Sequence, residues 1–414
     1  MHAKLNMAVA CALLIAGITG CDKKREKGAA AETTTLTLTL AHGQTRAADP
    51  NAEAGELAVR TIDVYIFDGE SLALINRTRL NAADFESAGE VNTFKNKVKI
   101  ETTTGKRRVA AGVNLPDGFP DPTSIASLRG AWTTTIDQLA GAETGFVMFS
   151  DELVDATLVA ESDPDHATAN AVSVNVTRVV AKVAVVDAGV NLNHSIGAFS
   201  NLQFAIRNSN TKLFPLRLVE NGVVKDPNWD TYDAADFEHP ADYIPVNAKN
   251  ADPAAWGVKY APENTSKVPV EKNSTYAVIR AVFVPAVFHD KDGMPTPNEG
   301  MRKSFWTVKT ADGELYYFDM EMAADGFVTN HPESVKSARY ANGECYYSAY
   351  LGPSNGYSTL RNTFYRVNVK SLIPPGRPTP EPADPDQPLS GVTDIDIEVV
   401  IIPWDVVDDG YDLH

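Results

Sequence analysis

The sequence predicts a mainly all-β protein: two antiparallel β-sandwich domains, a few short helices and a separate strand near the C-terminal end. Three observations carry this. Short runs in which apolar and polar residues alternate recur along the chain, and a period of two puts successive side chains on opposite faces of a strand. Those runs are rich in Val, Ile, Thr and Tyr, which suit a pleated, half-buried surface. The strand–helix alternation of a parallel sheet does not occur, so antiparallel sandwiches are the economical architecture. With 414 residues, 43% hydrophobic and 22% charged, the chain is long enough for two such bodies with real cores.

The first 21 residues set the compartment. Lys4 is followed by an apolar run over residues 7–18, too short for a stable membrane span, and then by Ile18-Thr19-Gly20-Cys21. This is the pattern of a lipoprotein signal peptide, in which the Cys21 thiol is acylated and becomes the new N-terminus. Residues 22–27, DKKREK, read as a polar tether. Of the three cysteines, Cys11 lies in the signal and Cys21 takes the lipid, so Cys345 stands alone and no intramolecular disulfide forms. Its aromatic neighbours, GECYYSAYL, point to a buried, inert thiol. The formal charge of −17 argues against a nucleic-acid partner, because no basic excess is available for phosphates.

Residues 33–46, TTTLTLTLAHGQTR, form the first strand. Leu36, Leu38 and Leu40 share one face, and Thr35, Thr37 and Thr39 the other. The polar, Ala-rich run that follows leaves Arg46 at an exposed edge, accessible to a protease. Residues 59–67 and the SLALI run flank Asp68-Gly69 as a hairpin. Residues 98–103 and 107–114 read as another strand pair, 123–139 as one helix at three-to-four spacing, and 171–187 as a long Val-rich strand closing the first domain. The second domain carries candidate strands at 204–207, 213–218, 275–284, 304–308, 315–318, 348–351 and 363–369. Residues 373–390 are too rich in proline for sheet and read as a stiff spacer of polyproline II type. Beyond it, Ile395, Ile397, Val399 and Ile401 alternate with Asp394, Asp396 and Glu398, while Trp404 keeps the opposite phase. Such a strand needs a sheet to complete, and we expect it to compete with residues 33–46 for one place.

No catalytic signature appears: there is no GxSxG, HExxH, Walker loop or GxGxxG after a strand. The eight histidines are scattered singly, so neither a zinc site nor any cofactor is expected. Asp290-Lys291-Asp292-Gly293 resembles part of a calcium loop but lacks the later ligands, and reads as a surface turn. Tyr346, Tyr347, Tyr350 and Tyr357 read as sheet surface or as sugar-stacking platforms.

The Cys21 signal, LTLTLAHGQTRAA, VYIFDGE, GKRRVAAGVN, VTRVVAKVAV and RNTFYRVNVKSL together resemble the major fimbrial subunits (fimbrillins) of Bacteroidales type V pili. The resemblance implies two transthyretin-like sandwiches, over 47–190 and 191–372, exported as an outer-membrane lipoprotein precursor. It implies cleavage between Arg46 and Ala47 by an Arg-specific protease, removing the strand with Leu36, Leu38 and Leu40. It also implies a donor within 391–414, with Ile395, Ile397, Val399, Ile401 and Trp404, that fills the vacated groove of another subunit. The partners are then other copies and related fimbrial subunits, the protease, the outer membrane before processing, and ligands on host or bacterial surfaces. Loss of residues 1–46 removes six basic and three acidic residues, leaving 31 against 51 and a formal charge of −20. The alternatives are a tip adhesin of the same pilus, or a glycan-binding or glycan-cleaving surface lipoprotein.

Overall fold

The computed structural model describes residues 31–42, 55–89, 92–389 and 395–403. Cys21, Arg46, Ala47 and Trp404 lie outside these. The first sheet is built from β1 (Thr33–His42), β2 (Thr61–Asp68), β3 (Leu74–Asn81), β4 (Thr93–Asn96), β5 (Ile100–Thr103), β6 (Gly105–Val113), β7 (Met148–Ser150), β8 (Val154–Leu158) and β9 (Ala171–Arg178). Its order is β3-β2-β6-β7-β9-β1-β4, ending on the short strand Phe85–Ser87, with β8 on β6 and β5 on β1. Ten strands therefore surround one core, to which Leu36, Val64, Val109, Phe149 and Val174 belong.

The second half contains β10 (Val180–Asp187), β11 (Gly197–Arg207), β12 (Val258–Pro262), β13 (Tyr276–Pro285), β14 (Glu344–Tyr350), β15 (Thr363–Leu372) and β16 (Ile395–Pro403). One sheet joins β10, β12, β15 and β16, and another joins β11, β13 and β14. Val183, Val185, Phe204, Ile279, Tyr347 and Val367 pack between them as a second core. The β2/β3 hairpin forms as expected, turned by Asp68, whose carboxylate accepts the Ser71 N–H at 2.8 Å.

Several expectations change. Most pairs are antiparallel, but β1 with β9 and β10 with β15 run parallel; each pair is separated by more than a hundred residues, ample for a crossover. Residues 98–103 and 107–114 are not a hairpin. Only Thr104 separates β5 from β6, and the two strands go to different partners, β1 and β2. The expected helix splits into Ile125–Leu128 and Ile136–Leu139, interrupted at Gly130. Residues 213–218 turn at Pro215 and bury Leu213 and Leu216 in the first core. The run 171–187 breaks at Val179, and its two parts serve different sheets.

The proline-rich segment is docked along the second half. Proline lacks an N–H, so carbonyls take a large share of the polar contacts: Tyr347, Tyr340 and Tyr276 donate their hydroxyls to the carbonyls of Ile373, Gly376 and Pro380 at 2.9, 2.8 and 3.1 Å, and Arg377 adds a two-way main-chain bridge to Tyr346.

A buried ion pair joins the halves. Lys182 on β10 and Glu56 are both fully buried, Nζ to Oε1 2.9 Å, and the Tyr260 hydroxyl on β12 donates to the same oxygen at 2.6 Å. Arg178 donates from Nε to the Glu56 carbonyl at 3.1 Å. Lys182→Ala takes the ammonium from a buried carboxylate and should cost about 3–5 kcal/mol. A fall of that size in urea-unfolding stability is the expected result.

Candidate functional site

The strand β1 occupies the middle of the first sheet. On one side Thr37 to His42 pair with Ala171 to Val176 of β9. On the other, Thr39 to Ala41 pair with β4 and Thr33 to Leu36 with β5. Its period of two divides the side chains as the sequence indicates: Leu36, Leu38 and Leu40 are 2%, 1% and 0% exposed, while Thr35, Thr37 and Thr39 are half-buried. Each leucine contributes roughly 1.5–3 kcal/mol by burial. His42 continues the inward face and stacks on Phe94, centroids 5.9 Å apart.

Polar side chains read the strand at two points that sequence reasoning missed. Asn170, 1% exposed, donates from Nδ2 to Thr34 Oγ1 at 3.0 Å and to the Thr35 carbonyl at 2.8 Å. The Thr34 hydroxyl in turn donates to the Val159 carbonyl at 2.7 Å. Midway, Asn96 Oδ1 accepts the Leu38 N–H at 2.8 Å, where the pairing passes from β5 to β4. At the outer face the Thr35 hydroxyl donates to Glu161 at 3.0 Å, and this bond together with Lys99 lowers the Glu161 pKa. Both asparagines lie more than 50 positions from their partners, so no local pattern announces them.

The other expected segment, β16, sits on a different sheet. Among the described residues it is an edge strand, paired antiparallel only with β15 from Leu372↔Ile395 to Thr363↔Pro403. Ile397 and Val399 are half-buried against the second core, and Glu398 accepts from Asn368 Nδ2 at 3.0 Å. Within one chain the two segments therefore do not share a place.

The remaining candidates read as structure. Cys345 is fully buried, its thiol pushed up to about 12 by burial. Asp290 Oδ1 accepts the N–H groups of Asp292 and Met294, 2.9 Å each, which closes a hairpin turn. Among the described residues no group of three or more His, Cys, Asp or Glu is placed to hold a metal. Tyr346, Tyr347 and Tyr350 are buried and Tyr357 is half-buried, so these four tyrosines form no exposed platform. A shallow cavity of about 410 Å³ lined by Val223, Trp229, Lys267, Asn355 and Ser358 carries no carboxylate on its walls.

Two family models match the chain: the major fimbrial subunit protein (FimA) over residues 34–186 and the C-terminal part of fimbrillin, major fimbrial subunit protein type IV, over 338–409. No curated protein matches it. Among solved structures, two proteins assigned to cell adhesion in Parabacteroides distasonis share 16% and 14% identity with it. Each alignment covers 90% of this chain, with 100% and 97% of the other, at a TM-score of 0.52. A fimbrilin (FimA) from Porphyromonas gingivalis shares 16% identity over 90% of this chain and 97% of its own, at 0.51. At these identities the likeness is one of fold.

Leu38→Ala opens a cavity at the centre of the sheet and should cost about 2–5 kcal/mol, whereas Thr37→Ala on the outer face should stay within about 1 kcal/mol. Denaturant titration of the intact chain separates the two.

Proposed function

Since this chain belongs to the major fimbrial subunit (fimbrillin) family, and so serves a cell-surface fimbrium as a structural subunit, we propose that it is a pilin held inactive by its own N-terminal strand. The precursor is exported as an outer-membrane lipoprotein through Cys21. An Arg-specific protease cuts between Arg46 and Ala47, four residues past the end of β1 in sequence, releasing both strand and lipid tether. The C-terminal strand of another subunit then enters the vacated groove. The observation that carries this reading is the position of β1, paired on both edges with its three leucines in the core. Its loss opens two strand edges and an apolar groove together.

Strand addition supplies main-chain hydrogen bonds along both edges and fills pockets with alternate side chains. Leu36, Leu38 and Leu40, together with the main-chain pairing of β1, stand in the way, so the precursor does not polymerise early. A subunit whose groove lies in one sheet and whose donor ends another makes a heterologous contact, which propagates as a filament. The donor must first leave β15, where Ile397 and Val399 are only half-buried. An intact donor fits a stalk subunit better than a terminal one. We assign the protein no catalytic role.

Arg46→Ala should leave an unprocessed, membrane-attached monomer; normal filaments from this variant would refute the mechanism. Deleting residues 390–414 should give a processed subunit that caps growth, and filaments of unchanged length would remove the donor assignment.

A further inference from the structure

The outer rim of the groove carries a basic ladder. Lys95, Lys97 and Lys99 alternate along residues 93–99 and all three are exposed. Lys95 is the Cα partner of Thr39, and Lys97 and Lys99 follow towards Glu101, the partner of Thr35. The strand now in place meets them with Thr35, Thr37, Thr39 and Ala41, which carry no charge. On the β9 side of β1 the facing residues Ala171, Ser173 and Asn175 are neutral as well. Among the described residues only Lys99 has a carboxylate within reach, Glu161 at 3.3 Å, and Glu86 lies behind Lys95 as its partner on the far strand.

The C-terminal strand supplies the complementary sequence. Thr34-x-Leu36-x-Leu38-x-Leu40 and Thr393-x-Ile395-x-Ile397-x-Val399 have the same pattern, but the residues between are neutral in the first and Asp394, Asp396 and Glu398 in the second. We propose that the C-terminal strand of a second copy of this chain enters the groove with the polarity of β1, Ile395, Ile397 and Val399 taking the places of Leu36, Leu38 and Leu40. The acidic face then lies along Lys95, Lys97 and Lys99, and Thr393 takes the place of Thr34 against Asn170. This rests on the strand-exchange reading above and adds polarity, register and the charges that guide entry.

Two physical problems are solved by different residues. A slip of one residue would turn the acidic face into the core, so the apolar alternation forbids it. A slip of two keeps the apolar face inward and is not forbidden by alternation. Asn170 decides that case. Its buried amide donates to Thr34 Oγ1, and only the proposed register returns a hydroxyl there. Shifting the donor by two brings Ile395 or Gly391 to that point, and reversing it brings Ile401. The amide keeps the Val159 carbonyl at 3.1 Å in any register, so an apolar side chain in place of the hydroxyl forfeits one buried hydrogen bond and lowers occupancy about 2- to 10-fold. The lysines choose the outward face and speed encounter. Asp396 and Glu398 carry that attraction, since Asp394 meets Lys99 together with Glu101 and Glu161.

Cysteine pairs in the processed, assembled full chain test the register. Lys95→Cys with Glu398→Cys and Glu101→Cys with Asp394→Cys should both give inter-subunit disulfides on mild oxidation. The native Cys345 is buried and does not compete. Cross-linking of Lys95→Cys instead to Asp396→Cys or Val400→Cys would overturn the register while leaving strand exchange standing. No inter-subunit product from any pair, with Thr39→Cys and Lys95→Cys still joining within the unprocessed chain, would overturn strand exchange itself. Asn170→Leu should spread the products of Lys95→Cys over positions 396, 398 and 400; an unchanged product would dismiss Asn170 as the register key. Lys95→Glu with Lys97→Glu should slow assembly about tenfold at low ionic strength, and adding Asp396→Lys with Glu398→Lys should restore it. A rate indifferent to both would remove the charge ladder from the proposal.

Discussion

Everything in the first half of the molecule depends on one strand being hydrogen-bonded along both edges. A peripheral strand can leave a sheet at the cost of a single ladder, whereas β1 links β9 to β4 and β5. Without it those neighbours lose each other, and three leucines leave the core together. An element so placed would be a poor choice for removal in an ordinary monomer. In a subunit built to receive a partner it is the natural one, because the defect it leaves is deep, apolar and edged with unsatisfied backbone.

Much of this was legible in the residues, and the limits have physical causes. The alternation in 33–42 gave both the strand and its buried face, since Thr and Leu differ enough in polarity to mark two sides. The run 171–187 was legible as strand but not as two strands. Val180 to Val186 are buried on both faces, so no change of phase marks the passage between sheets at Val179. Lys182 stands in that apolar run as its single anomaly, and its partner Glu56 lies 126 positions away. The asparagines escaped for the same reason: a side chain reading a strand from across a sheet leaves no periodic trace. Around Thr104 to Lys106 two alternating runs close in sequence read as hairpin partners, yet a one-residue connection cannot reverse them side by side.

The chain also divides its charges by role. Fully buried ionic contacts, Lys182 with Glu56 and Arg361 with Glu263 at 3.0 Å, tie β10 and loop segments into the body of the molecule. Glu398 and Lys370, half-exposed and 4.0 Å apart, hold the edge strand that leaves in the proposed exchange. An exposed pair of that kind is worth about 0–1 kcal/mol, so it positions β16 without trapping it.

The passage through Val179 has a mechanical consequence. The groove wall β9 is continuous by covalent bonds with β10, and β10 lies in six-residue parallel register with β15, the strand from which the C-terminal segment extends. Tension between neighbouring subunits in a filament would run from donor to β15, across that ladder in shear to β10, and along the backbone into the next groove. The whole ladder then carries the load at once instead of opening one bond at a time, and a fibre assembled by the proposed exchange would resist pulling through its sheets.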